Sequence, residues 1–326
     1  MTVTIREVAQ AAGVSVATVS RVLTGKDRVA EQTRRAVLQA CKDLDYQPDA
    51  LAASLRSGSS SSVGMLVPDI TNSFFPAVVQ AAEQGFAEAG LDVVFCDASN
   101  DVAVEAQRLQ TLLRRRVDAL LVCPVHATGS APALRSAARS TRVAQLERRA
   151  VDELDFIGVD QRAGMSQLVR HLASSGARTA VFAGATSALS SIKDRSTAFT
   201  EACEVHGIEA WPVEDLDFPS ARNGRAFTRR LVERGDLPDA IACANDDVAS
   251  GVILELRDLG VRCPADVLVT GYDDVPVAAL LGLTTIAQPL RDLGREVVHL
   301  LSHENGTPRQ VLLAPALVVR ASTSGS

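Results

Sequence analysis

No apolar run in this chain approaches the roughly 18 residues that a membrane-spanning helix requires, so none is expected. The first residues, MTVTIREVAQ, already have the spacing of an amphipathic helix and lack the layout of a secretion signal. A cytoplasmic protein is expected. Six cysteines (Cys41, Cys96, Cys123, Cys203, Cys243 and Cys263) show no close pairs and mostly sit inside apolar stretches. They read as buried thiols, and neither a disulfide framework nor a metal cluster is expected. No Gly-x-Gly-x-x-Gly or P-loop pattern follows a strand, and no serine nucleophile elbow is present. His299 and His303 have i, i+4 spacing and Glu304 follows, but Leu300 stands where a zinc protease motif needs glutamate. An exposed helix face is the better reading of that triplet. With no catalytic constellation, no metal and no cofactor indicated, an enzyme is not expected.

One sign of charge is scarce where the other is needed. The chain has 33 Lys+Arg against 39 Asp+Glu, a net charge of −6, which argues against a general nucleic-acid binder. Yet residues 1–60 hold 8 basic groups and 6 acidic ones, leaving that segment at +2 and the rest at −8. Five of those basic groups, Arg21, Lys26, Arg28, Arg34 and Arg35, lie close together. A basic head on an acidic body fits a DNA-binding module joined to a domain with another task.

The head has its own pattern. In TIREVAQAAGVSVATVSRVL, residues 4–23, apolar side chains recur at Ile5, Val8 and Ala9, then at Val16, Val19, Val22 and Leu23. Both sets have helical spacing. Between them Ala12-Gly13-Val14-Ser15 is long enough only for a tight turn, with Gly13 suited to end the first helix and Ser15 to cap the second. That is a helix-turn-helix, whose second helix can enter the DNA major groove. A third helix over 31–44 places Val37, Leu38, Cys41 and Leu44 on one face. After Tyr46-Gln47-Pro48, the stretch Asp49–Arg56 favours helix but is too short to form one alone. Ser57-Gly58-Ser59-Ser60-Ser61-Ser62 then reads as a flexible linker.

The remaining chain alternates apolar strands with helical patterns. VGMLV, LDVVFC, ALLVC, RVAQL, FIGV, TAVFAG, IACA, VLVT and TTIA form the strand series. Gly90, Gly176, Gly207 and Gly260 stop helices just ahead of strands. Alternation of this kind means parallel sheets, and nine or ten strands divide more naturally into two open sheets than one. A chain of 326 residues with 47% hydrophobic content has room for two or three domains.

These features, with VAEQTRRAV, YQPDALAASLR, VPDITNSFF, GYDD near residue 271 and TTIAQP, resemble the lactose-repressor (LacI/GalR) family of bacterial transcription regulators along the full length. The resemblance implies an all-α helix-turn-helix domain at 1–46, a hinge helix and linker at 47–62, and an α/β core at 63–326. That core would resemble periplasmic binding proteins, with two parallel-sheet subdomains, about 63–160 with 290–320 and about 161–289 with 321–326. Chain crossings fall near Asp160 and Pro289, with a last return near Arg320. It also implies a homodimer on a palindromic operator in double-stranded DNA. Tetramers in some relatives use a C-terminal leucine-heptad tail, and ALVVRASTSGS has no heptads.

Candidate DNA contacts follow from the motif: Thr4, Ser15, Val16, Ala17, Thr18 and Arg21, then Lys26, Arg28, Thr33 and Arg34. In the hinge they are Ala52, Leu55 and Arg56, with Leu55 at the family's minor-groove wedge position. Candidate effector residues lie where strands end: Asp69, Phe74 and Phe75 after the first, Glu147 after the fourth, and Ser191 and Arg195 near a helix start. Phe218, Asn245 and Asp273 complete the set, and Pro124-Val125-His126 ends the third strand. A polyhydroxylated ligand needs charged or amide groups for its hydroxyl pairs and a ring for its apolar face. A carbohydrate is therefore the expected effector, acting as inducer or corepressor. A nucleobase-type corepressor or a plain solute-binding protein are the alternatives. Three positions depart from the family pattern: Glu147 for the usual Asp, Ala198 where Gly is common, and Leu189 at a place polar in several relatives.

Overall fold

The structure, a computed structural model, describes residues 3–24, 29–46, 60–184, 189–216, 218–302 and 307–324. The expected hinge helix and five of the candidate DNA contacts (Lys26, Arg28, Ala52, Leu55 and Arg56) lie outside the described residues. The chain divides into two compact units, 1–60 and 61–326.

The smaller unit is three helices: α1 (Ile5–Ala11), α2 (Val16–Thr24) and α3 (Glu31–Asp43). Gly13 takes the left-handed conformation (φ +65°) that ends the first, and the Ser15 hydroxyl accepts the Thr18 N–H at 3.1 Å to start the second. Val8, Ala9, Val19, Val22, Val37 and Ala40 close its core. Leu38, expected inside, is 47% exposed. The inward stripe of α3 runs Val37, Ala40, Cys41 and Leu44, and so small a core cannot also cover the next position round the helix.

The larger unit holds two parallel sheets. The first joins β1 (Ser62–Val67), β2 (Asp92–Asp97), β3 (Ala119–Val122), β4 (Arg142–Leu146), β5 (Asp155–Val159) and the late strand β12 (Gln310–Leu313), in the order β12-β5-β4-β3-β1-β2. The second joins β6 (Thr179–Gly184), β7 (Glu209–Ala210), β8 (Glu214–Asp215), β9 (Ala240–Cys243) and β10 (Leu268–Thr270). Residues along β1 alternate between two cores: Val63, Met65 and Val67 face one, Leu66 the other. Helices α4 (Phe74–Glu88) and α12 (Leu290–Ser302) fill the first side, and α5 (Val102–Arg114) and α6 (Ala131–Ala137) fill the second. The second sheet is sandwiched likewise. Helices α7 (Gln161–Ser174) and α8 (Ser190–His206) cover Ala180 and Phe182, while α9 (Ala221–Glu233) and α10 (Asp246–Asp258) cover Val181 and Ala183. Burial on both faces is why these strands read as continuous apolar runs.

All four helix-stopping glycines have positive φ, between 71° and 94°. Another glycine serves close approach instead: a methyl at Gly251 in α10 would overlap the Ala221 carbonyl of α9. The TTIA segment departs from expectation. It touches the end of β10 only through isolated parallel bridges, Thr270–Thr284 and Asp273–Ala287; its ladder, β11 (Thr285–Ala287), pairs antiparallel with β13 (Ala316–Val318). Two further segments, β12 and the short β7–β8 pair, escaped sequence reading. They are too brief to give a periodic signal. The chain leaves the first sheet after Asp160, re-enters it through β12, and begins its last return between Leu313 and Ala316, several residues before Arg320. A short helix, α11 (Pro276–Leu280), follows the β10 turn.

Candidate functional site

The head's outward face is built by α2. Val16 is 39% exposed, and Ala17 and Arg21 are exposed beside it. The hydroxyls of Ser15 and Thr18 are 2.9 Å apart and share the cap, so they begin the helix rather than project freely. Thr4 gives its N–H and hydroxyl to the Glu7 carboxylate (2.7 and 2.8 Å), which fixes the start of α1. On α3, Arg34 is exposed and Thr33 half-buried. The α2 face thus combines apolar and cationic groups, the means of touching thymine methyls, guanine edges and phosphates.

In the larger unit, the carboxyl ends of the two sheets meet around Arg195. This guanidinium, almost wholly buried, donates to Gln161 Oε1 (2.8 Å), the Ala244 carbonyl (2.8 Å) and Glu147 Oε1 (2.6 Å). It lies 3.7 Å from the Asp273 carboxylate and stacks 3.7 Å above the Tyr272 ring. Gln288 Nε2 donates to Asp273 Oδ1 at 2.7 Å. Burial raises the pKa of Glu147 and of Asp273, and the Arg195 charge opposes that rise. Both residues hold a left-handed backbone (φ +60° and +105°), a conformation that costs energy in non-glycine residues and gathers at functional positions. Gln288 Oε1 is buried without a hydrogen-bond partner among the described residues, while Glu147 draws on the Ser191 hydroxyl and Tyr272 on Arg195.

Seven of the nine candidate effector residues line one small cavity here: Phe74, Phe75, Glu147, Ser191, Arg195, Asn245 and Asp273. The other two do not. Asp69 spends both oxygens locally, accepting from the Thr71 N–H and hydroxyl (2.9 and 2.6 Å) and from Asn100 Nδ2 (2.8 Å). Phe218 is 37% exposed, and its neighbour Pro219 lines the cavity instead. Asn245 also caps α10, accepting the Val248 N–H at 2.9 Å. Leu189 lies at the N-cap of α8 and supplies no side-chain acceptor, while Ala198 lines a 440 Å³ hollow on the other flank of Glu147. Sequence reading missed Arg148, Asn72 and Ile192 in the lining and Gln161, Tyr272 and Gln288 behind it. For Arg148 the signal was present in the Glu-Arg-Arg triplet after RVAQL.

The cavity is nearly shut, leaving about 20 Å³ for the centre of a water molecule, roughly one water's room. Three contacts hold the two sheet layers together across it. Arg195 meets Glu147, the Ser73 hydroxyl donates to Asp247 Oδ1 (2.8 Å), and the Arg149 N–H donates to the Ser190 hydroxyl (2.8 Å). Beneath them Asp246 accepts from the Val275 N–H (2.8 Å) and the Thr285 hydroxyl (2.7 Å), and burial lifts its pKa to about 7.

Residues 4–49 match the family described as bacterial regulatory proteins, lacI family, and residues 169–323 match a periplasmic binding protein-like domain. The chain is 32% identical to the ribose operon repressor of Halalkalibacterium halodurans, over 99% of this chain and 97% of that one. It is 31% identical to the HTH-type transcriptional repressor PurR of Photobacterium profundum, over 98% of each. Among solved structures it is similar to the Lac repressor dimer bound to operator and the anti-inducer ONPF (TM-score 0.86, 27% identity, all of both chains). It is also similar to the transcriptional regulator CelR–cellobiose complex (TM-score 0.70, 27% identity, 98% and 99% covered). The chain belongs to the lacI family of DNA-binding bacterial transcription regulators.

Proposed function

We propose that this chain is an operator-binding repressor, dimeric on a palindrome, whose DNA affinity is set by a sugar entering the Arg195 cleft. One observation carries the effector half: Glu147, Arg195, Asn245 and Asp273 converge with Phe74 and Phe75 on one cavity. A ligand with several hydroxyls pairs with the charged and amide groups, and the two rings offer faces for its apolar side. Repressors of ribose operons and a cellobiose-bound regulator among the similar proteins support a carbohydrate. At 20 Å³ the cavity must open to admit one. Entry therefore competes with the Ser73–Asp247 and Arg195–Glu147 contacts, and their making or breaking is the switch. The Asp49–Arg56 hinge would carry the change to the DNA, with Leu55 as its wedge.

The test is calorimetry of the full chain against a panel of pentoses, hexoses and disaccharides, repeated with Asp273→Ala. A sugar that binds wild type and loses about ten- to a hundredfold with Asp273→Ala supports the reading. An unchanged affinity places the sugar elsewhere.

A further inference from the structure

Two arginines reach the cavity, and among the described residues only one of them is ion-paired. Arg195 sits between the Glu147 and Asp273 carboxylates. Arg148, 8% exposed, has none within ion-pair distance among the described residues. Among the described residues its side chain makes one hydrogen bond, a long one, from Nη1 to the Pro124 carbonyl at 3.4 Å. One guanidinium face rests over the Phe75 ring, 5.6 Å from its centre, which leaves its remaining N–H groups uncommitted. Glu105 lies in the same neighbourhood, but it accepts the Val125 N–H at 2.9 Å and makes no ion pair with Arg148. Glu147 and Glu105 act on this charge from beyond ion-pair distance, which leaves the guanidinium's own N–H groups for a ligand to engage.

A second group points the same way. Ser191 and Ile192, in the first turn of the 17-residue α8, also line the cavity. The N-cap is Leu189, with no side-chain acceptor, so the positive end of this helix is not answered by a cap side chain.

We propose that the cleft selects a small polyhydroxylated ligand carrying one phosphate or carboxylate, and that Arg148 is the residue that recognises this anion. The proposal rests on the effector reading of the cleft and narrows it. Arg195 and Asp273 take hydroxyls, while Arg148 takes two oxygens of the anion through its planar fork. The departure at Leu189 then acquires a role: a non-capping residue leaves the first turn of α8 open to the same anion.

Matched pairs test this: ribose against ribose 5-phosphate, and glucose against glucose 6-phosphate and gluconate, titrated into the full chain at constant ionic strength. An anionic member should bind about tenfold or more tighter than its neutral parent. Arg148→Met should bring that ratio close to one, and Arg148→Lys should keep part of it, which also covers the case of a methionine variant that folds poorly. A ratio near one in wild type overturns the proposal, as does a preference that survives Arg148→Met. Binding of none of the five compounds overturns it too. Asp273→Asn separates the two levels. If it weakens a neutral sugar while phosphate adds nothing, only the anion proposal fails. If it changes no affinity for a compound that binds, the cleft reading fails with it.

Discussion

Replacing Arg195 by methionine removes the cation and keeps much of the side-chain volume. What remains is Glu147 and Asp273, both buried, with no guanidinium between them, and Gln161 and the Ala244 carbonyl without their donor. Breaking a buried ion pair from one side costs about 3–5 kcal/mol. For a core of this size that corresponds to a fall in Tm of roughly 6–20 °C, at about 2–4 °C per kcal/mol. The pH dependence is the sharper signature. Burial already raises both carboxyl pKa values, and without Arg195 they rise further. A carboxyl whose folded pKa lies above its unfolded value destabilises the fold at higher pH. That cost disappears as pH falls through the folded pKa towards the unfolded value near 4. The deficit of Arg195→Met should therefore be largest at pH 8 and shrink towards pH 5. The single tryptophan, Trp211, packs against the second sheet's core and reports urea unfolding directly. A loss below about 1 kcal/mol, or one equal at pH 8 and pH 5, would refute the claim that Arg195 neutralises two buried carboxylates.

Asp246, lifted to about 7 by burial, makes wild-type stability fall as pH rises from about 4 to about 7; Asp246→Asn should flatten the slope across that window, and an unchanged slope argues against the shift. Gly251→Ala places a methyl against the Ala221 carbonyl and should cost about 1–3 kcal/mol in thermal melts, whereas Gly90→Ala, with open space around it, should cost only its backbone strain. In titrations on operator and random duplexes, Val16 and Ala17 substitutions should change sequence preference, while Arg34→Ala should weaken all duplexes alike and reduce the salt dependence. Uniform loss from the Val16 and Ala17 changes would remove α2 as the reading helix. Sedimentation should show a homodimer at micromolar concentration, and a stable monomer would count against the operator arrangement proposed here.

Much of this was legible in the sequence because its signals are local. The Gly13 turn, the Ser15 cap and the four glycine stops each depend on a few neighbouring residues, and each reappears with the expected geometry. Strands buried on both faces announced themselves as apolar runs. What escaped depends on distant partners. Nothing within TTIA says that it will pair with Ala316–Val318, and nothing within Gln310–Leu313 says that it will border β5. Strand-end position brought seven effector candidates to one cavity but could not show that Asp69 would turn inward to its own loop. Nor could it show that Leu38 would face outward, since that follows from how wide a face three short helices can cover.

The position of β12 has a consequence for synthesis. Arg309, just before it, bonds to Asp155, the first residue of β5, 154 positions away in the chain. The first sheet therefore lacks its edge until almost all of the second has been made, and Ser322 and Thr323 are still needed to fill space beside β10 and α7. Neither layer can finish ahead of the other on the ribosome. The head, whose hydrophobic core is built from residues within 3–46, is under no such constraint. A nascent chain thus acquires a folded head long before the core that is proposed to govern it can close.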